Sequence, residues 1–190
     1  MKQMIITIVF MMFFIPYVYL YLRQIIKMNQ TAVFPVTEED VKAIRRQPKA
    51  PIGLMGISHQ KIGLYLNGSL IALAFLLEIS KKLGYFIDWT SLSFILPGLI
   101  NYNQTWNVFA IMDDGVLCGG RFVPWKRMQS YEFEPINKDH RYYGYVSEVN
   151  SGYELEIKTK LTYVNCIVTS EEAKEKLSAL LDAHLVSKNN

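Results

Sequence analysis

Two carboxylates lie within otherwise apolar stretches, Glu78 near the end of Ile62–Ile79 and Asp88 early in Tyr85–Ile100. Acids at such depth handle protons or ions where a polar path reaches them. Both flank the tight turn LysLysLeuGly, and Glu78 precedes Lys82 by four residues, a spacing suited to a helical ion pair. Interfacial placement with local pairing therefore accounts for them, and a transport role would need both to face a polar path.

Bases form the second group. Arg45, Arg46 and Lys49 sit in a polar connector, while Arg121, Lys126 and Arg127 surround a ProTrp pair. Each base near an anionic surface contributes about 1 kcal/mol of attraction, so these six are the candidate lipid- or partner-binding residues. His59, His140 and His184 are far apart and lack carboxylate or cysteine neighbours at ligand spacing. No metal, other cofactor or catalytic residue is expected, and AspAspGly at 113–115 reads as turn chemistry. Cys118 and Cys166 have no redox or metal-binding spacing and are expected as core thiols.

These residues are positioned by two kinds of segment. Apolar residues make up 51% of the chain, and no charge interrupts Met4–Leu22, whose nineteen residues approach the ~20 needed to cross a bilayer core. No small-residue cleavage motif follows Leu22, so the run reads as a retained span and not as a signal peptide. Ile62–Ile79 and Tyr85–Ile100 read as a helical hairpin, with Gly63, Gly68, Ser69, Ala72 and Ala74 available for close helix approach. Three spans are expected, with one span plus a re-entrant hairpin as the alternative. In the connector, Thr37 to Asp40 reads as a capping box opening a short helix.

Residues 23–61 carry seven bases (Arg23, Lys27, Lys42, Arg45, Arg46, Lys49, Lys61) against three acids. With three spans the connector shares a side with the C-terminal part, and the positive-inside bias places both in the cytoplasm. The asparagine sequons at Asn29, Asn67 and Asn103 then read as chance matches. From Trp106 onward ten bases face twelve acids, so the basic excess lies beside an apolar segment and nucleic acid is not an expected partner.

The C-terminal part alternates as soluble sheets do: Tyr131 and Phe133 against Glu132 and Glu134, then Tyr153, Leu155 and Ile157 against Glu154, Glu156 and Lys158. Val116–Pro124 reads as one strand after the AspAspGly turn. Thr169 and Glu172 form a capping box ahead of a helix whose apolar stripe runs Ala173, Leu177, Leu180, Leu181, His184 and Leu185. Trp106 is expected as an interfacial anchor and Trp125 as a core residue.

This order of strands and one terminal helix, with the run from Gly115 through GlyArgPheValProTrpLysArgMetGlnSerTyrGluPhe, resembles the pleckstrin-homology-like domains that follow membrane hairpins in small uncharacterised bacterial membrane proteins, chiefly Gram-positive. The resemblance covers roughly residues 106–186 and implies an α+β domain with no shared catalytic residues. A full fold of that kind has seven strands, whereas about six can be placed here. The chain thus divides into a transmembrane helix (1–27), a polar cytoplasmic connector (28–61), a transmembrane hairpin (62–102) and a pleckstrin-like domain, an antiparallel sheet with one C-terminal helix (103–190). The expected function is a non-enzymatic, multi-pass cell-membrane protein that presents this domain to lipids, to a membrane protein partner or to a second copy of itself. Immunity against a membrane-active peptide and service as a transporter's accessory subunit are the alternatives.

Overall fold

A computed structural model describes residues 2–85 and 90–189. Helix α1 (Lys2–Met28) is continuous through Pro16. It buries Ile6, Phe10, Tyr17, Gln24 and Met28, one stripe at helical spacing. Helix α3 (Lys61–Lys82) buries Gly63, Asn67, Ala74 and Leu77 along a matching stripe, and α4 (Thr90–Asn101) contributes Ile95 and Gly98. The three helices pack on one another through these faces. Gly63 and Gly98 permit the closest approaches: a Cβ at Gly63 would lie 2.6 Å from the Trp106 ring, and one at Gly98 would lie 2.7 Å from the Tyr17 hydroxyl. Ala74 is also buried in this seam, whereas Ser69 and Ala72 face outward.

Two of these helices, over Met4–Met28 and Lys61–Lys82, are long and apolar enough to cross a membrane. In their most apolar stretches only 17% and 22% of the residues are buried, so each presents an exposed apolar surface. Of the third expected span, part lies outside the described residues, and α4 supplies eleven residues of it.

Short helix α2 (Glu38–Ala43) opens with the expected capping box: the Asp40 amide donates to the Thr37 hydroxyl at 3.1 Å and the Thr37 amide donates to the Asp40 carboxylate at 3.1 Å. It leads into β1 (Ile44–Arg45). Beyond α4 a 3-10 turn (Tyr102–Gln104) brings the chain to the meander β2 (Phe109–Met112), β3 (Gly115–Cys118) and β4 (Arg121–Pro124). The run Val116–Pro124 is therefore two strands and not one. Gly119 adopts a φ of +59°, which glycine reaches without steric cost, and the chain reverses there. The second sheet has the order β1-β7-β6-β5, from β5 (Met128–Pro135), β6 (Tyr153–Thr159) and β7 (Tyr163–Val168), with a single-turn helix α5 (Ser147–Asn150) before β6.

Among the described residues the strands number seven, because the connector supplies β1: Ile44 pairs with Val168 and Arg45 with Ile167. Helix α6 (Glu171–Asn189) packs Ala173, Leu177 and Leu181 onto the core between the sheets, with Leu180 and Leu185 at its margin. Its cap is Ser170, whose hydroxyl accepts from the Ala173 amide at 3.1 Å. Thr169, the expected cap, instead gives both its amide and its hydroxyl to the Ala43 carbonyl.

Trp106 is 0% exposed, so it is no interfacial anchor. It fills the joint between helices and sheet, beside Tyr21 and Tyr102 and beneath Gly63. Trp125 is partly buried against the core of the two sheets. Cys118 and Cys166 are both buried and unpaired, and burial pushes both thiols above their ordinary range.

Candidate functional site

The β6–β7 hairpin ends in the tetrapeptide Thr159–Thr162, closed by its own threonines. The Thr159 amide and hydroxyl donate to the Thr162 carbonyl at 2.8 and 2.6 Å, and the Thr162 amide donates back to the Thr159 hydroxyl at 3.1 Å. With the backbone satisfied internally, Lys160 and Leu161 project outward, and Leu161 is 90% exposed.

Facing this tip is a 3-10 turn, Trp125–Arg127. Its indole is held twice: Nε1 donates to the Asp113 carbonyl at 3.0 Å, and the ring stacks on His184 of α6 with centroids 3.9 Å apart. A fixed Trp125 leaves Lys126 and Arg127 exposed on the cleft side. Between tip and turn lies an open cleft of about 600 Å³, floored by Phe122, Val123 and Pro124 and flanked by Lys126, Arg127 and Lys160.

Phe122, Val123 and Thr162 also line a smaller cavity of about 170 Å³, whose other wall is α1. There Leu20, Arg23, Gln24 and Lys27 face the sheet. Gln24 Nε2 donates to the Gly119 carbonyl at 3.0 Å, Lys27 forms an ion pair with Asp114, and the Lys27 ammonium lies 3.9 Å from the centre of the Phe122 ring. No carboxylate lines either cavity among the described residues. Lys27 is compensated by Asp114, and the remaining bases of the two cavities, Arg23, Arg121, Lys126, Arg127 and Lys160, form a band of positive charge with one apolar projection, suited to holding an anionic ligand by charge.

The six bases singled out in the sequence separate in space. Lys126 and Arg127 line the cleft. Arg121 and Arg46 reach β7 two residues apart, with Nη1 atoms donating to the Tyr163 carbonyl at 3.4 Å and the Asn165 carbonyl at 3.5 Å. Arg45 is 8% exposed and donates to the Pro48 carbonyl, which gives it a structural role in the connector turn, and Lys49 is exposed at that turn. Glu78 pairs with Lys81, three residues on, at 2.9 Å, whereas Asp88 lies outside the described residues. Arg23, Lys27, Lys160 and Leu161 were missed. Arg23 and Lys27 look like ordinary charges after a hydrophobic run, and only the fold brings them to Phe122.

A second constellation joins residues that the sequence keeps apart. Glu134, His140 and Glu154 bring their ligand-type atoms within 4.8 Å of one another. His140 Nε2 lies 2.9 Å from the Glu154 carboxylate while Nδ1 accepts from the Tyr142 amide at 3.2 Å, so both ring nitrogens are engaged. Glu154 also accepts from Asn165 at 2.5 Å and pairs with Arg141. A metal ion would have to displace these bonds, and the arrangement serves as an ionic rivet holding the 136–146 loop to β6.

Asn67 is fully buried, taking the Tyr17 hydroxyl at 2.8 Å and donating to the Gly63 carbonyl and the Thr105 hydroxyl. Asn103 accepts from the Gly120 amide at 2.9 Å. Both sequon side chains thus hold the fold together.

Neither a curated protein nor a solved structure matches the chain. One family model does: residues 107–186, from just before β2 into α6, are similar to a family described only as a domain of unknown function, DUF5673.

Proposed function

We propose that this chain is a non-enzymatic integral membrane protein whose helices mount a pleckstrin-like domain rigidly on the cytoplasmic membrane surface, where it acts as an interaction module. The observation that carries the reading is the weaving of the connector into the domain. Besides the β1–β7 pairing, the Val33 amide donates to the Ile111 carbonyl and the Ile111 amide to the Phe34 carbonyl, each at 2.8 Å. The Gly53 amide likewise donates to the Asn107 carbonyl at 2.8 Å, and Lys176 of α6 meets Asp40 at 3.1 Å.

A connector hydrogen-bonded into the domain must lie on the domain's side of any membrane. The segment between them, α3 through α4, must then leave that side and return to it. Twelve residues of α4 reach about 18 Å at ~1.5 Å per residue, against a hydrocarbon core of ~30 Å. Helix α4 alone therefore does not cross, and with α1 crossing once the chain has three spans or one span plus a hairpin. The basic connector supports the cytoplasmic assignment. Two antiparallel sheets of three and four strands closed by a C-terminal helix support the pleckstrin-like reading. The cleft offers cations around an apolar floor and one projecting leucine, which is equipment for binding.

Single cysteines at exposed Lys49, Lys82 and Lys138, labelled with a membrane-impermeant maleimide in sealed vesicles, test the arrangement. Positions 49 and 138 should label from the same side, and position 82 from the other side where the hairpin spans and from neither where it is re-entrant. Labelling of 49 and 138 from opposite sides would refute it.

A further inference from the structure

Leu161 is the most exposed large apolar side chain among the described residues. Most of its rivals lie on α1, α3 and α4, whereas Leu161 belongs to the β domain, on a hairpin tip closed beneath it by the Thr159–Thr162 hydrogen bonds. Its neighbour Thr162 lines the same cavity as Leu20 and Arg23 of α1. That stretch is where the helix passes from its uncharged run to its first bases, which is the level of the headgroups for a helix that spans. The tip therefore sits at the membrane surface beside the helix exit. Lys160, Lys126 and Arg127 surround it.

From this juxtaposition we propose that the β6–β7 tip is a membrane-dipping wedge, with Leu161 entering the interface of the leaflet that α1 leaves and the three bases holding phosphate-bearing anionic headgroups of that leaflet. The inference rests on the membrane mounting proposed above. An apolar projection ringed by bases is the combination that binds anionic interfaces, each part reinforcing the other. Because the helices already hold the domain at the bilayer, engagement is intramolecular and needs no high intrinsic affinity.

The test uses the full chain in vesicles of phosphatidylcholine alone or mixed with phosphatidylglycerol. An environment-sensitive fluorophore is attached at Leu161→Cys, the native thiols being buried, with controls at Met12→Cys on α1 and Lys138→Cys on the 136–146 loop. A lipid-borne quencher should act on position 161 several-fold more strongly in the anionic vesicles, on position 12 in both, and on position 138 in neither. K126Q, R127Q and K160Q together should lower the equilibrium constant for engagement by roughly 100-fold, about five-fold per base, and bring quenching at 161 in anionic vesicles down to its level in phosphatidylcholine alone.

Equal quenching at 161 and 138 in both vesicles, with 12 quenched, would overturn the wedge alone. Loss of quenching at 12 would overturn the membrane mounting itself. Inorganic phosphate that shifts the emission at 161 in phosphatidylcholine vesicles would mark a free-anion site and overturn the headgroup assignment. The unmodified protein gives an independent reading, since tryptic cleavage after Lys160 should slow several-fold in anionic vesicles, and an unchanged rate would count against the wedge.

Discussion

Asp40 is the point at which the connector's helix, its capping box and the C-terminal helix meet, so its charge should set how firmly the connector docks. Its carboxylate accepts from the Thr37 amide at 3.1 Å and the Val36 amide at 3.2 Å, and it meets Lys176 Nζ at 3.1 Å. Burial raises its pKa, but the backbone bonds from Thr37 and Val36, the Lys176 ammonium and the Thr37 hydroxyl together overcome that and hold it at about 2, below the ordinary 3.8. A gap of that size corresponds to roughly 2.5 kcal/mol, and because Lys176 is well exposed, screening brings the expected contribution to about 1–2 kcal/mol.

The folded pKa is depressed, so this stability is fully present above the unfolded value near 4 and is lost as pH falls through about 2. Asp40→Asn should therefore destabilise the docked connector by about 1–2 kcal/mol at neutral pH, and the difference from wild type should shrink between pH ~4 and pH ~2. Amide hydrogen exchange in detergent reads this locally. The Thr169 amide, donated to the Ala43 carbonyl at 2.8 Å, should exchange about 5- to 30-fold faster in the variant at neutral pH. A variant that exchanges like wild type at neutral pH, or a difference that persists undiminished below pH 2, would refute the reasoning.

Two further substitutions probe the joint and the rivet. Gly63→Val places atoms where a Cβ alone already lies 2.6 Å from the Trp106 ring, so the helix–domain joint should lose about 1–3 kcal/mol, read as a red-shifted indole emission and a lower unfolding midpoint. Glu154→Gln removes the charge that His140 and Arg141 share; local opening of the 136–146 loop should become easier by about 1–3 kcal/mol, seen as faster exchange of the Ile136 amide while α6 amides stay unchanged.

Local patterns were legible in the sequence where the governing physics is local. The Thr37–Asp40 box and the apolar stripe of α6 both follow from spacing within one helical turn or two. The start of α6 moved to Ser170 because Thr169 is claimed by Ala43, a residue far away in sequence. Strand β1 was invisible for the same reason: two residues carry no period, and its partner strand is more than 120 positions away. Glu154 looked like a solvent-facing member of an alternating strand, yet it is 4% exposed because the 136–146 loop folds over that face. Leu161 offered no signal, since one leucine in a turn is unremarkable until its surroundings are known.

Helix α1 and the smaller cavity are one structure, which bears on how any ligand would be sensed. Residues of α1 form a wall of the smaller cavity, and Gln24 and Lys27 tie that wall to Gly119 and Asp114 at the turns flanking β3. At the other end of the same face, Tyr17 is hydrogen-bonded to Asn67 of α3, and the Tyr102 hydroxyl donates to the Leu20 carbonyl at 2.8 Å. A shift of α1 along its axis would break these bonds together, because side chains packed into a close-fitting seam have few alternative partners. The helix therefore fixes the position of the domain and also the shape of its basic face. A ligand gripping Arg23 and Arg121 across the cavity would stabilise the present seating of α1 on the sheet by as much as it prefers that seating to any other.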